Sequence, residues 1–269
     1  MYTEFFGLSE FPFNITPDPR FLYFSPRHRE AFDHLVYGIH QRKGFIELSG
    51  EVGCGKTTLL RAVLSQLPYD IETALVLNPK LNEDQLLKAI LNDFGLSVRG
   101  DDRLAYVEQL NEFLLSQAER GHNVVLIIDE AQDLEPELME QVRLLSNLET
   151  DQHKLMQIVL AGQPELRARL NQHDLRQLRQ RILIRCSVQP LNVEETGEYI
   201  AHRLRVAGGT PDVFFTPEAV QGVFRYSSGT PRLINAVCDL AMLGGYAAQT
   251  RTIGRREVEK ALLQLECAV

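Results

Sequence analysis

The 269-residue chain contains no uninterrupted apolar run near the ~20 residues that a bilayer-crossing helix needs, so no membrane span is expected within it. It also lacks any Cys-x-x-Cys pair. Its four cysteines, Cys54, Cys186, Cys238 and Cys267, have neither metal-ligand spacing nor the layout of a disulfide framework, so neither zinc nor a disulfide is expected. The opening residues MYTEFFGLSEFPF carry no basic segment and no continuous apolar core, which argues against a secretory leader and for a cytoplasmic location. Excess positive charge is missing as well: 28 Lys and Arg face 36 Asp and Glu, for a net charge of −8. A surface of that sign does not attract polyphosphate at long range, which disfavours non-specific DNA binding while leaving room for a local basic stripe. What is present, 44% hydrophobic and 24% charged residues, suits a soluble globular protein, and the length suits a core domain with a smaller satellite.

Residues 1–25 are dense in proline and aromatic rings, including Phe5, Phe6, Phe11, Phe13, Phe21, Tyr23 and Phe24. Proline at this density resists helix and sheet interiors, so an extended arm pinned by its rings is expected. Ser25 and Pro26 suit the cap and first turn of a helix running to about Gln41. A strand, GFIELSG, leads into a glycine-rich loop and a helix from Thr57 to about Leu67, then a second strand, ETALVLN. Asn82 with Gln85 has the pattern of a capping box for a helix to about Phe94, and Asp101-Asp102 caps a long helix from Arg103 to Arg120. NVVLIIDEAQDL, LMQIVLAG and ILIRCSV read as three further strands. Near-continuous apolar strands alternating with helices imply an α/β fold with a parallel five-stranded sheet covered on both faces. From about Leu191 the pattern is helical only. The expected organisation is therefore an arm (1–25), a nucleotide-binding domain (26–190) and a small all-helical lid domain (191–269).

The segment SGEVGCGKTTLL carries the strongest chemistry. Gly50, Gly55, Lys56 and Thr57 match G-x-x-x-x-G-K-[ST] between a predicted strand and a predicted helix, with Gly53 as an extra glycine inside. In such a loop backbone N–H groups curl around phosphates, Lys56 reaches the β and γ oxygens, and the Thr57 hydroxyl ligates Mg²⁺. Gly50, Glu51, Val52, Gly53, Cys54, Gly55, Lys56, Thr57 and Thr58 form the expected ATP-contacting set. Asp129 and Glu130 close the apolar run VVLII, a setting in which Asp129 serves the magnesium shell and Glu130 orients or deprotonates the attacking water. The competing reading of such acids is plain loop solvation.

Two groups of arginines follow. Arg176, Arg179, Arg181 and Arg185 lie in DLRQLRQRILIRC, and an arginine where this helix meets the fifth strand can reach the γ-phosphate held by a neighbouring subunit. Arg181 is the first candidate and Arg179 the second; the alternative for each is pairing with nearby acids. Arg232, in SSGTPRLINAV, puts positive charge at a helix N-terminus, which is unfavourable unless an anion sits opposite, so it reads as a lid sensor for bound phosphate or, alternatively, as one half of a local ion pair. Cys54 lies beside Lys56 and loop N–H groups that can favour its thiolate, so either a reactive thiol or a small residue used only for its backbone is expected.

This arrangement resembles AAA+ P-loop ATPases. In that class a polar residue at the tip of the fourth strand, commonly Asn or Thr, senses the γ-phosphate; the residue here is Gln163 in VLAGQPEL, with a loop amide capping its neighbours as the alternative. Across nearly the whole chain, through FFGLSEFPFNITPDPRFLYFSPRHREAF, GFIELSGEVGCGKTTLLRAVL, VVLIIDEAQDLEPELMEQVRLLSNLET, LAGQPELRARL and SGTPRLINAVCDLAML, the sequence is similar to the general secretion pathway protein A family and its relatives in pilus biogenesis and exosortase-linked secretion. The resemblance implies hydrolysis of ATP to ADP with Mg²⁺, self-association into a ring or filament, and a membrane-embedded secretion or pilus component as partner. It implies action at the inner face of the inner membrane, through that partner or through a C-terminal segment outside this sequence. Cys54 stands where the family commonly has Thr or Ala. Two other classes share the motifs: a transposition-type AAA+ regulator that bridges DNA and transposase, and a nucleotide-gated assembly switch that does not hydrolyse.

Overall fold

Five short strands are the frame of the computed structural model, which describes residues 2–77, 80–149 and 154–267. In chain order the first elements are α1 (Tyr2–Phe6), α2 (Pro26–His40), β1 (Phe45–Gly50), α3 (Lys56–Leu64), β2 (Ile71–Val76), α4 (Glu83–Asp93) and α5 (Arg103–Glu119). They are followed by β3 (Asn123–Ile128), α6 (Pro136–Leu145), β4 (Gln157–Gly162), α7 (Pro164–Leu170), α8 (Arg176–Arg181) and β5 (Ile182–Val188). The remainder comprises α9 (Val193–Val206), β6 (Phe214–Phe215), α10 (Pro217–Ser227), α11 (Pro231–Ala247), β7 (Thr252–Ile253) and α12 (Arg255–Glu266). Asn78, the expected end of the second strand, lies outside the described residues.

The chain divides into two units. One, Arg29–Gly50 with Leu60–Val188, holds the sheet, in the order β2-β3-β4-β1-β5 with every neighbouring pair parallel. β1, β3 and β4 are buried along their whole length, which is why their sequences are mostly apolar, the polar exceptions such as Glu47 and Gln157 being buried as well. The edge strands β2 and β5 are only partly covered, and Leu183 is 67% exposed. Parallel strands all point one way, so the carboxyl ends of β1, β3 and β4 share one edge: Ser49 pairs with Gly162, and Ile128 with Leu160. The amino ends share the other edge, where Phe45 pairs with both Ile158 and Ile182. Caps expected from sequence terminate the helices: Asn82 and Gln85 form the reciprocal box of α4, and the Asp102 side chain accepts from the Ala105 N–H at 2.9 Å at the start of α5.

The other unit, Met1–His28 with Glu51–Leu59 and Gln189–Val269, is mostly helical. Its core joins Tyr2, Phe6, Phe13 and Phe21 to Leu191, Tyr199, Ile234 and Met242. Phe13 meets Phe215 edge-on at 6.0 Å. The expected arm is therefore ring-pinned, but it is not extended throughout. Tyr2–Phe6 forms a short helix, because the prolines that exclude helix begin only at Pro12. A single 3₁₀ turn spans Pro19–Phe21, where the Asp18 carboxylate accepts from the Arg20 N–H at 2.9 Å. The helices after Leu191 are accompanied by a parallel pair, β6 with β7, whose two-residue strands are too short to leave a period in the sequence.

Candidate functional site

The glycine loop begins where β1 ends, at the carboxyl edge of the sheet, and passes into α3 at Lys56. Its shape depends on Gly53 (φ 78°) and Gly55 (φ 95°), conformations that a side chain disfavours. At Gly53 space is short too: an added Cβ would lie 2.7 Å from the Cβ of Arg232. Arg232 is the second residue of α11, and its N–H donates to the Gly53 carbonyl at 3.2 Å. The start of this helix is thus bonded to the loop, and the Arg232 side chain runs exposed beside it. Within the loop, the Lys56 ammonium donates to the Glu51 carbonyl at 3.2 Å, and Lys56 is only 6% exposed. Glu51 and Val52 are exposed, while Thr57 and Thr58 are half-buried on the first turn of α3.

The carboxyl ends of β3 and β4 carry the other predicted residues. Asp129 is 2% exposed, its N–H donates to the Val76 carbonyl at 2.9 Å, and its Oδ1 accepts from the Glu130 N–H at 2.9 Å. Glu130 sits in the left-handed region (φ 51°), which turns the chain sharply at the end of the strand. Its Oε2 accepts from two amides, Gln132 Nε2 at 2.8 Å and Gln163 Nε2 at 3.3 Å. The same Gln132 accepts from the Gln163 N–H through Oε1 at 3.0 Å. Gln163 is the N-cap residue of α7, yet its side chain makes no cap bond and reaches Glu130 instead. Three residues from two strand ends therefore form one carboxylate–amide cluster, capable of holding a water-activating carboxylate in a fixed orientation.

The arginines lie elsewhere. α8 runs directly into β5, so Arg181 is at the amino edge, roughly 17 Å of strand away from the edge that bears Glu130. Its Nη1 donates to Ser146 Oγ at 2.6 Å, and it lines a cleft of about 320 Å³ together with Arg42, Lys43 and Lys154. Arg179 is half-buried and makes one long bond, 3.4 Å, to Asn171 Oδ1. Arg176 is exposed. Arg185 has the ordinary alternative assignment: it pairs at 3.4 Å with Glu47, a buried carboxylate that also accepts from Arg167 at 2.9 Å.

Cys54 carries two expectations, a reactive thiol or a small residue used only for its backbone. The thiol is fully buried, and burial pushes it up to about 11, outweighing the opposing attraction of Lys56. Burial therefore favours the second reading. Two partners went unnoticed in the sequence. Gln132 has a faint signal, an amide two residues after the acid within DEAQ. His28 has none, because the group it bonds, the Cys54 carbonyl at 3.0 Å, is 26 positions away.

Compared with known proteins, residues 39–170 match the AAA domain family. The chain is 46% identical to general secretion pathway protein A of Aeromonas hydrophila over 266 residues, 98% of this chain and 48% of that protein. It thus spans about half the length of that curated relative. Among solved structures it resembles the Drosophila ORC bound to DNA (TM-score 0.70, 22% identity, 94% of this chain and 64% of that one). It likewise resembles the Aeropyrum pernix ORC2 protein in its ADPNP-ADP complexes (TM-score 0.68, 17% identity, 94% and 73%). At these identities the likeness is one of fold, the AAA+ P-loop fold.

Proposed function

The chain belongs to the general secretion pathway protein A family of AAA+ proteins, and on that premise we propose that it is a Mg²⁺-dependent ATPase whose turnover drives assembly or placement of an envelope-spanning secretion or pilus apparatus. The observation that carries the hydrolytic part is the Glu130 carboxylate, gripped by the Gln132 and Gln163 amides at the carboxyl end of a buried strand.

In this reading the Lys56 ammonium exchanges the Glu51 carbonyl for β and γ phosphate oxygens, and loop N–H groups donate to the remaining phosphate oxygens. The residues fit a hard cation: the Thr57 hydroxyl and the buried Asp129 carboxylate are oxygen donors of the kind Mg²⁺ prefers. Bound Mg²⁺ supplies neutralisation of phosphate charge. Glu130 is assigned to orient the attacking water and take its proton, and the Gln163 amide, bonded to Glu130, is assigned to sense the γ-phosphate. Arg232, on the helix bonded to Gly53, is assigned to sense the phosphate of the occupied loop.

Arg181, with Arg179 second, is assigned to the nucleotide of a neighbouring subunit, since the amino edge of its own sheet is too far from Glu130 for a side chain to span. A contact of unlike faces closes into a ring or continues as a filament. The proposed partner is a membrane-embedded component of the apparatus, met at the cytoplasmic face of the inner membrane. No helix among the described residues is long and apolar enough to cross a membrane.

The test pairs two substitutions. Lys56→Ala should lose ATP binding, whereas Glu130→Gln should bind ATP and release no phosphate above background. Equal ATP affinity in the two, or sustained turnover by Glu130→Gln, overturns the assignment.

A further inference from the structure

His28 is 2% exposed and lies on the first turn of α2, where Ser25 precedes Pro26. Its Nε2 is 3.0 Å from the carbonyl oxygen of Cys54, and its Nδ1 is 2.8 Å from Ser25 Oγ. These contacts define the tautomer. A carbonyl oxygen only accepts, so the proton is on Nε2; Nδ1 is then bare and accepts from the Ser25 hydroxyl. Ser25 Oγ in turn accepts from the His28 backbone N–H at 3.3 Å. Burial holds the imidazole below the ordinary histidine range, which keeps it neutral with its single N–H aimed at the loop.

The peptide that His28 grips joins Cys54 to Gly55. In a trans peptide the C=O and the following N–H point in opposite directions, so a donor that pins the Cys54 oxygen on one side fixes the Gly55 N–H on the other. Gly55, at φ 95°, has no side chain to hold this plane, and Gly53 is equally permissive. On the other flank Cys54 N–H donates to the Glu51 carbonyl at 3.3 Å, a long bond that leaves the peptide lightly held without the histidine.

We propose that His28 is a positioning residue for the phosphate loop: through its Nε2–H bond to the Cys54 carbonyl it presets the Gly55 N–H for a nucleoside di- or triphosphate, with the Ser25 hydroxyl donating to the bare Nδ1 on the far side of the ring. This deepens the nucleotide reading and rests on it. The role divides between hydrogen bonding and space filling, and substitutions separate the two. Gln can carry an N–H to nearly the position of Nε2; Ala cannot.

The experiment uses the 269-residue chain and measures two things in wild type, His28→Ala, His28→Gln and Ser25→Ala: ADP and ATP affinity by titration calorimetry, and amide hydrogen exchange over residues 53–57 without nucleotide. Melting curves confirm the fold. His28→Ala should weaken both nucleotides about tenfold and speed loop exchange by a similar factor. His28→Gln should recover affinity to within about threefold of wild type, and Ser25→Ala should fall between. Unchanged loop exchange in His28→Ala overturns the tether. Faster exchange with unchanged affinity overturns its role in nucleotide binding, as does a failure of Gln to recover what Ala loses. A wild-type chain that binds neither nucleotide sinks the nucleotide reading itself; that failure is recognisable because loop exchange in His28→Ala still rises.

Discussion

Replacing Gln132 by alanine removes one hydrogen bond to the Glu130 carboxylate and one acceptor for the Gln163 N–H, and its effect is calculable. The Gln132 bond, at 2.8 Å, has the length of a charge-assisted contact; the Gln163 bond, at 3.3 Å, is the weaker of the pair and remains. A hydrogen bond to a charged group contributes about 1.5–3 kcal/mol, but Glu130 is only half-buried and water replaces part of what is lost. About 1.4 kcal/mol is then left as the cost of an unfixed carboxylate, equivalent to a tenfold fall in kcat. ATP affinity should change less than about twofold, because the Gln132 side chain is assigned no contact with phosphate and bonds Glu130 instead. Gln132→Glu should be worse than Ala, since it sets a like charge against Glu130 at the same distance. The assay is steady-state phosphate release at saturating Mg-ATP, with affinity measured separately. An increase in kcat for Gln132→Ala would refute the reasoning, for it would mean that the amide restrains Glu130 from its water. A loss of affinity as large as the loss of kcat would refute it as well.

The remaining predictions concern other parts of the chain. Iodoacetamide at pH 8 should modify exposed Cys267 and spare Cys54, whose thiol, at about 11, becomes a thiolate only as the pH rises through that value; peptide mapping that finds Cys54 alkylated first contradicts this. Arg203 is 6% exposed and donates to the Pro12 carbonyl, to Tyr199 Oη at 2.9 Å and to the Asn14 carbonyl at 3.1 Å, with its guanidinium 4.7 Å over Phe21. Arg203→Leu strands the buried Pro12 carbonyl and Tyr199 hydroxyl oxygen and should cost about 3 kcal/mol. The melting temperature should then drop by roughly 6–12 °C, and an unchanged value would show that the arm is held by its rings alone. Specific ATPase activity should rise with protein concentration, and Arg181→Ala protein mixed with Lys56→Ala protein should regain activity at interfaces that join an intact loop to an intact arginine. Concentration-independent turnover without recovery on mixing removes Arg181 from the reaction.

Local features are legible in the sequence because their causes lie within a few residues. The Asn82–Gln85 box and the Asp102 cap close bonds three residues apart, and the VVLII run is apolar throughout because β3 is covered on both faces. The loop from Gly50 to Lys56 and the acids at the end of β3 declare themselves in the same way, since strand, turn and helix are consecutive. The short helix at Tyr2–Phe6 is obscured by prolines that lie farther along the arm. Other features depend on which segments meet. Gln163 reaches Glu130 across 33 positions, and His28 reaches the Cys54 carbonyl across 26, pairings that no spacing rule contains. The shared direction of the parallel strands puts Arg181, which precedes β5, on the edge opposite Glu130, which follows β3. Cys54 shows the division most sharply: its neighbours in sequence, Lys56 among them, favour a thiolate, but only the folded chain removes water from the sulfur, and desolvation outweighs the nearby charge.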